Sequence, residues 1–280
     1  MNTKNNKLIE NQRKRQNQIM FDVKYDDHSP FGWYGEIESI IYSKYCVNEN
    51  SWEEMFRGDI IFNEYGEIYK IETYREDDSK KTVCLKEYDS NGRLIVCKKL
   101  DDSGETYVEY RYKYNSIGNL IEKVMMNSKN QIMYKSLYVY DQIGRLIQQL
   151  KHNIIGGYQY WIAYLYNEDG NVGIKTEIFN NGVLGEIETF SYSKNGNIEH
   201  SLFKESFDSF TYYEYDSDGN IIKKVTESHN IESDSDDSKK EMPQIWYEEF
   251  EYDKNGNVIA AIEREGSGIV YRHEWIIKYK

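Results

Sequence analysis

The sequence predicts an all-β protein, a long antiparallel meander of repeated β-hairpins forming a coiled, twisted sheet. Three observations carry that prediction. A fixed period runs through the chain: Gly66, Gly92, Gly118, Gly144, Gly170 and Gly196 follow one another at steps of 26 residues. Around each glycine, aromatic and aliphatic residues recur two apart, which is the period of a strand. Composition agrees, with 27 tyrosines and only 2 prolines in 280 residues. Aromatic side chains suit a pleated surface, and few prolines leave the ladder its N–H donors. No helical stripe interrupts the pattern.

Taken in order, residues 1–29 hold no repeat, and Lys4, Lys7, Arg13, Lys14 and Arg15 make this start basic. It reads as a solvated, partly helical lead-in. Residues 30–280 read as one domain, opening with Phe31-Gly32-Trp33-Tyr34-Gly35-Glu36-Ile37, a divergent copy of Phe62–Ile68. Each unit is strand, turn, strand, turn. In Tyr88-Asp89-Ser90-Asn91-Gly92-Arg93-Leu94 the Asp89 carboxylate caps a type I turn, and Gly92 takes the positive φ of a closing bulge. Asn115, Asp141, Asn167, Asp216 and Asp253 repeat the cap, and Ser193 does so more weakly. Two further copies, at Gly219 and Gly256, come 23 and 37 residues on.

A second turn is expected 12 residues past each glycine, at Asp78, Gly104, Asn130, Gly156, Gly182, Asp208 and Gly268. Two turns per unit leave two strands of roughly eight to ten residues each. The sum is ~16–18 strands spanning about 80 Å, which must coil rather than lie flat.

Parity then assigns the faces. Phe62, Tyr88, Tyr114, Tyr140, Tyr166, Tyr192, Tyr215 and Tyr252 precede the turn glycines by four residues. Ile60, Tyr112, Tyr138, Tyr164, Phe190, Tyr213 and Phe250 lie two earlier, with Lys86 the exception. Ile68, Leu94, Leu120, Leu146, Val172, Ile198, Ile221 and Val258 follow on the same face, so the tyrosines form a structural column. Ile95, Ile121, Ile147, Ile222 and Ile259 form a row on the opposite face, for which the sheet coiling onto itself is the expected cover. The three cysteines, Cys46, Cys84 and Cys97, read as reduced thiols. Counting from the turn puts Cys84 and Cys97 on opposite faces, which disfavours a bridge. The long step contains an acidic insertion, 228–244, with Asp234, Asp236 and Asp237 among serines and lysines.

The unit Tyr215-Asp216-Ser217-Asp218-Gly219-Asn220-Ile221, echoed by Tyr140-Asp141-Gln142-Ile143-Gly144-Arg145-Leu146, resembles the tyrosine-aspartate (YD) repeat of the RHS family over about residues 31–280. The unit is longer than the usual family repeat, and Phe62-Asn63 and Tyr192-Ser193 lack the Tyr-Asp pair. In large RHS proteins the repeats form a spiralling β-strip that encloses a toxic domain. By that resemblance nine units are too few for a closed shell, and no toxin domain follows Gly256.

Chemistry is sparse. A net charge of −13 excludes a nucleic-acid backbone as partner and suits a basic protein partner or plain solubility. His28, His152, His200, His229 and His273 share no place in the repeat, and metal-ligand spacings are missing, so no metal or cofactor is expected. No nucleophile–base constellation is legible, and catalysis is not expected. Neither a leader-like apolar run nor a membrane-spanning stretch occurs, so a cytoplasmic location is expected unless a leader has been trimmed away.

These readings, with the RHS resemblance, point to a non-catalytic protein-binding repeat protein, in its sharpest form the immunity partner of a bacterial toxin. A surface or glycan-binding module is the alternative. The candidate contact residues are Tyr158, Tyr160, Trp161, Asp234, Asp236 and Asp237.

Overall fold

The computed structural model describes residues 33, 35–48, 51–74, 80–204, 207–230, 243–266 and 268–280. These form eighteen antiparallel strands, without a helix among the described residues. The first six are β1 (Ile37–Asn48), β2 (Ser51–Phe62), β3 (Ile68–Tyr74), β4 (Lys80–Tyr88), β5 (Leu94–Leu100) and β6 (Thr106–Tyr114). Next come β7 (Leu120–Asn127), β8 (Ile132–Tyr140), β9 (Leu146–Asn153), β10 (Tyr158–Tyr166), β11 (Val172–Phe179) and β12 (Leu184–Tyr192). The last are β13 (Ile198–Lys204), β14 (Phe207–Tyr215), β15 (Ile221–Asn230), β16 (Gln244–Tyr252), β17 (Val258–Glu265) and β18 (Gly268–Tyr279).

Each strand pairs with its sequence neighbours, and β18 pairs with β1, with Tyr42 opposite Trp275 and Ile40 opposite Ile277. The meander is therefore a closed barrel. This corrects two expectations: the sheet does not remain an open coil, and nine units suffice to close it. The cause is local and repeated. At all eight glycine-turn hairpins the register slips by one residue just before the turn, as between Glu87 and Tyr88. Each bulge adds twist and bend in the same sense, so the curvature accumulates until the two edges meet.

The turns follow the expected chemistry. In the Gly92 turn the Asp89 carboxylate accepts from the Asn91 and Arg93 N–H groups (2.9 and 3.0 Å), and the Gly92 N–H donates to the Asp89 carbonyl (3.0 Å). Among the second turns, Gly104, Gly182 and Asn130 take positive φ as expected. Gly157 and Gly266 do so in place of Gly156 and Gly268. Asp208 is not a turn at all but lies within β14 opposite Lys204, because its unit is shorter and turns earlier. Asp78 lies outside the described residues. At Gly118, φ is +94° and a Cβ would meet nothing within 4 Å, so substitution there tests backbone strain alone. Gly118→Ala is expected to cost about 1–2 kcal/mol, read as a lower denaturant midpoint with an unchanged slope.

The tyrosine column does more than pack. Tyr88, Tyr114, Tyr140, Tyr166, Tyr192, Tyr215 and Tyr252 each donate a hydroxyl proton to a carbonyl of the preceding unit. The acceptors are Ile68, Leu94, Leu120, Leu146, Val172, Ile198 and Ile221, at 2.6–2.8 Å. These are the first strand residues past the turns, each beside the extra bulge residue, where the ladder is interrupted and a carbonyl needs another donor. One residue row thus supplies both the aliphatic packing and the acceptor that bolts each hairpin to the next.

The tyrosine side of the sheet is the inner one. Ile40, Ile60, Ile71, Cys97, Val172, Ile198 and Val258, all on this side, are at most 2 % exposed. Leu165 and Ile276, on the other side, are 55 % and 66 % exposed. Side chains converge on a concave surface and splay on a convex one, which accounts for the difference. The isoleucine row is not covered by the sheet folding over, since closure is edge to edge. Ile147 and Ile222 remain 36 % and 38 % exposed.

Candidate binding face

Register assigns every strand residue to one face, since directly paired residues share a side. In β4–β9 the assignment leaves the inner face with lysines and no carboxylate, while the outer face carries both signs. Lys86 lies opposite Cys97, Lys99 opposite Cys84, Lys123 opposite Tyr112, and Lys151 opposite Ser136 and Tyr160. All four lysines are on the inner, tyrosine-bearing face. The carboxylates of the same six strands, Glu87, Glu109 and Glu122, are all on the outer face. There they pair with Lys98 (2.9 Å), Arg111 (2.6 Å) and Lys135 (2.7 Å).

Inside, the ammonium groups stand over tyrosine rings. Lys99 is 5.7 Å from the Tyr110 ring centre, Lys123 is 4.9 Å from Tyr110 and 5.4 Å from Tyr112, and Lys151 is 5.7 Å from Tyr160. A ring face attracts a cation without neutralising its charge. Across the barrel, inner lysines pair with acids: Lys175 with Glu188 (3.4 Å) and Lys224 with Glu248 (2.6 Å). The inner face therefore has a tyrosine-rich wall with lysines and no carboxylate over β4–β9, and beyond it a wall that carries both signs, with Glu177 and Glu263 besides these pairs.

A polar chain also lies at the seam. The Tyr42 hydroxyl is 2.8 Å from Nδ1 of His273, whose Nε2 is 2.8 Å from Glu263. With Nε2–H donated to Glu263, Nδ1 accepts the phenol proton. The hydrogen bond from His273 is the main reason the Glu263 carboxyl is held below its usual range, with burial working against it. Burial pushes the Tyr42 phenol well above its ordinary value, with Glu263 adding to the effect. A phenol so disposed is a poor nucleophile at neutral pH, and the chain acts as a bolt between β1, β17 and β18. No group of His, Cys, Asp and Glu that could hold a metal occurs among the described residues.

The candidate contact residues are split by the strand pleat. Tyr160 faces inward, and Tyr158, in register with it at the end of β10, shares that side. Trp161 faces outward between Leu150 and Ile178. Adjacent strand residues point to opposite sides, so the three aromatics make no common platform. Asp234, Asp236 and Asp237 lie outside the described residues. The inner lysines were absent from the sequence-based candidates. Lys86 was visible there only as the exception in the aromatic row, a cation at a position that otherwise packs.

The faces of the cysteines need correction too. Cys84 and Cys97 share the inner face, their sulfurs 2.9 Å apart. The expectation of opposite faces counted symmetrically from Asp89 and Arg93. The bulge makes Tyr88 pair with Leu94 but Glu87 with Val96, which shifts every later residue by one.

No protein-family model matches the sequence, and no curated protein does. Among solved structures, the chain is similar to a porin-like protein from Bacteroides uniformis at 11 % identity and a TM-score of 0.47, covering 88 % of this chain and 98 % of that one. A porin-like protein from Bacteroides vulgatus is similar at 11 % identity and a TM-score of 0.28, with 85 % and 97 % covered. TcdB2-TccC3 is similar at 12 % identity and a TM-score of 0.28, over 84 % of this chain but 19 % of that one.

The expected cytoplasmic location does not stand against the closed eighteen-stranded barrel. That expectation rested on the missing leader and the missing apolar span. No described helix is long and apolar enough to cross a membrane, but barrels cross with strands and need none.

Proposed function

We propose that the protein is a non-catalytic binding barrel whose inner face holds an acidic, extended polypeptide segment. One observation carries the reading: in a chain of net charge −13, strands β4–β9 turn four lysines inward and all three of their carboxylates outward. Barrels of this strand number enclose more space than their own side chains fill, in which an extended chain has room to lie. Lysines above tyrosine rings suit carboxylate side chains, with the rings offering apolar contact between charges. The RHS resemblance supports a polypeptide as the enclosed ligand. The basic partner expected from net charge would meet the outer surface, whereas the inner wall calls for the opposite sign. The geometry gives no support to an immunity role in particular.

The test is fluorescence anisotropy of a labelled polyglutamate peptide at low and physiological salt. Binding is expected to weaken with salt and to fall by about tenfold or more in Lys123→Glu/Lys151→Glu. Lys98→Glu, on the outer face, is expected to leave it unchanged. Equal losses from inner and outer reversals, or no loss from either, would remove the reading.

A further inference from the structure

Strands β4 and β5 carry a second, independent feature on the same inner face. Cys84 and Cys97 sit diagonally across the hairpin with their sulfurs 2.9 Å apart. Both are reduced thiols, 8 % and 0 % exposed. Register places Lys99 directly opposite Cys84 and Lys86 directly opposite Cys97, so a cationic residue faces each sulfur-bearing one. Positive charge nearby stabilises the thiolate that forms when a thiol gives up its proton. The pair therefore has a partner sulfur within bonding approach and a lysine directly across the ladder from each cysteine.

We propose that Cys84 and Cys97 are a redox pair that closes to a disulfide, stapling β4 to β5 in the lysine-bearing wall. The oxidant is a peroxide, a class small enough to reach thiols so little exposed. The Cys84 thiolate, the more accessible, attacks one peroxide oxygen. The O–O bond breaks, the other oxygen leaves as hydroxide and takes up a proton as water, and the sulfur becomes a sulfenic acid. The Cys97 thiolate then attacks that sulfur, displacing its hydroxyl, which leaves as a second water. In sum two thiols and one hydrogen peroxide yield one disulfide and two waters. Cys46, on β1, is the third cysteine and has no such neighbour in sequence or register.

The experiment treats the folded full chain with hydrogen peroxide, alkylates the remaining thiols after denaturation, and maps them by mass spectrometry. The expected result is loss of two hydrogens, a cross-linked peptide containing Cys84 and Cys97, and an unfolding midpoint that rises and returns on adding a reductant. Cys46→Ser is expected to behave as the parent. Cys84→Ala and Cys97→Ala are each expected to lose the cross-link. Should either variant fail to fold, the mapping on the parent chain decides alone. Alkylation of both Cys84 and Cys97 after oxidation, or their separate conversion to sulfinic acids without a cross-link, overturns the proposal.

Discussion

Raising the pH from about 9 to about 12 unfolds the barrel in a single transition. The tyrosine column makes this the largest effect expected. Burial, the leading cause in each case, pushes the Tyr138 phenol up to about 12 and also raises Tyr114, Tyr140, Tyr166, Tyr192 and Tyr215. In the unfolded chain these phenols ionise near pH ~10. A group whose folded pKa is raised contributes stability that is intact below the unfolded value and is lost as pH climbs through the folded one. For Tyr138 alone the rise to about 12 amounts to roughly 3 kcal/mol at the alkaline end. Several such groups together bring the loss into the range of the ~5–15 kcal/mol by which a domain is ordinarily stable. Phenolate absorbance and far-ultraviolet circular dichroism should therefore change together, above about pH 10. Tyrosines titrating one by one at ordinary pH, with the fold intact, would mean that the column is open to water.

Truncating Trp275 to alanine is expected to cost about 3–5 kcal/mol, the usual penalty for emptying a buried aromatic site. Trp275 is 5 % exposed, lies opposite Tyr42 across the seam, and holds its ring centre 5.3 Å from that of Tyr42 and 5.9 Å from that of His273. The seam differs from the other hairpin junctions in its bolt. Its tyrosine, Tyr279, bonds to Asp253 and to Asn257 rather than to a bulge carbonyl. The loss should thus be directional as well as large. Hydrogen exchange in Trp275→Ala is expected to rise first in β1 and β18, with β6 and β7 following only at global unfolding. Leu165→Ala, at a site 55 % exposed on the outer face, should cost under about 1 kcal/mol and leave exchange at the seam unchanged. Uniform loss of protection around the barrel would show that closure does not depend on this contact.

Much of the hairpin unit was legible because its determinants are local. Asp89 and Gly92 specify their turn through bonds spanning at most four residues, and Tyr88 and Leu94 are held to one face by the pleat. The shared face of Cys84 and Cys97 was not legible, although they lie only 13 residues apart. One extra bulge residue reverses parity for the rest of the strand, and a count from the turn does not reveal on which side of Tyr88 the slip falls. The inner lysines were missed for a second reason: an alternating pattern separates two faces without saying which is concave.

What the sequence by itself determined is the repeating hairpin, its turns, the tyrosine column and a strand number close to the eighteen observed. Only the tertiary structure decided that β18 returns to β1, and hence which face looks inward and which charges it gathers. Each unit contributes a small bend whose sum depends on all the others. Closure is a property of that sum, and no single unit encodes it.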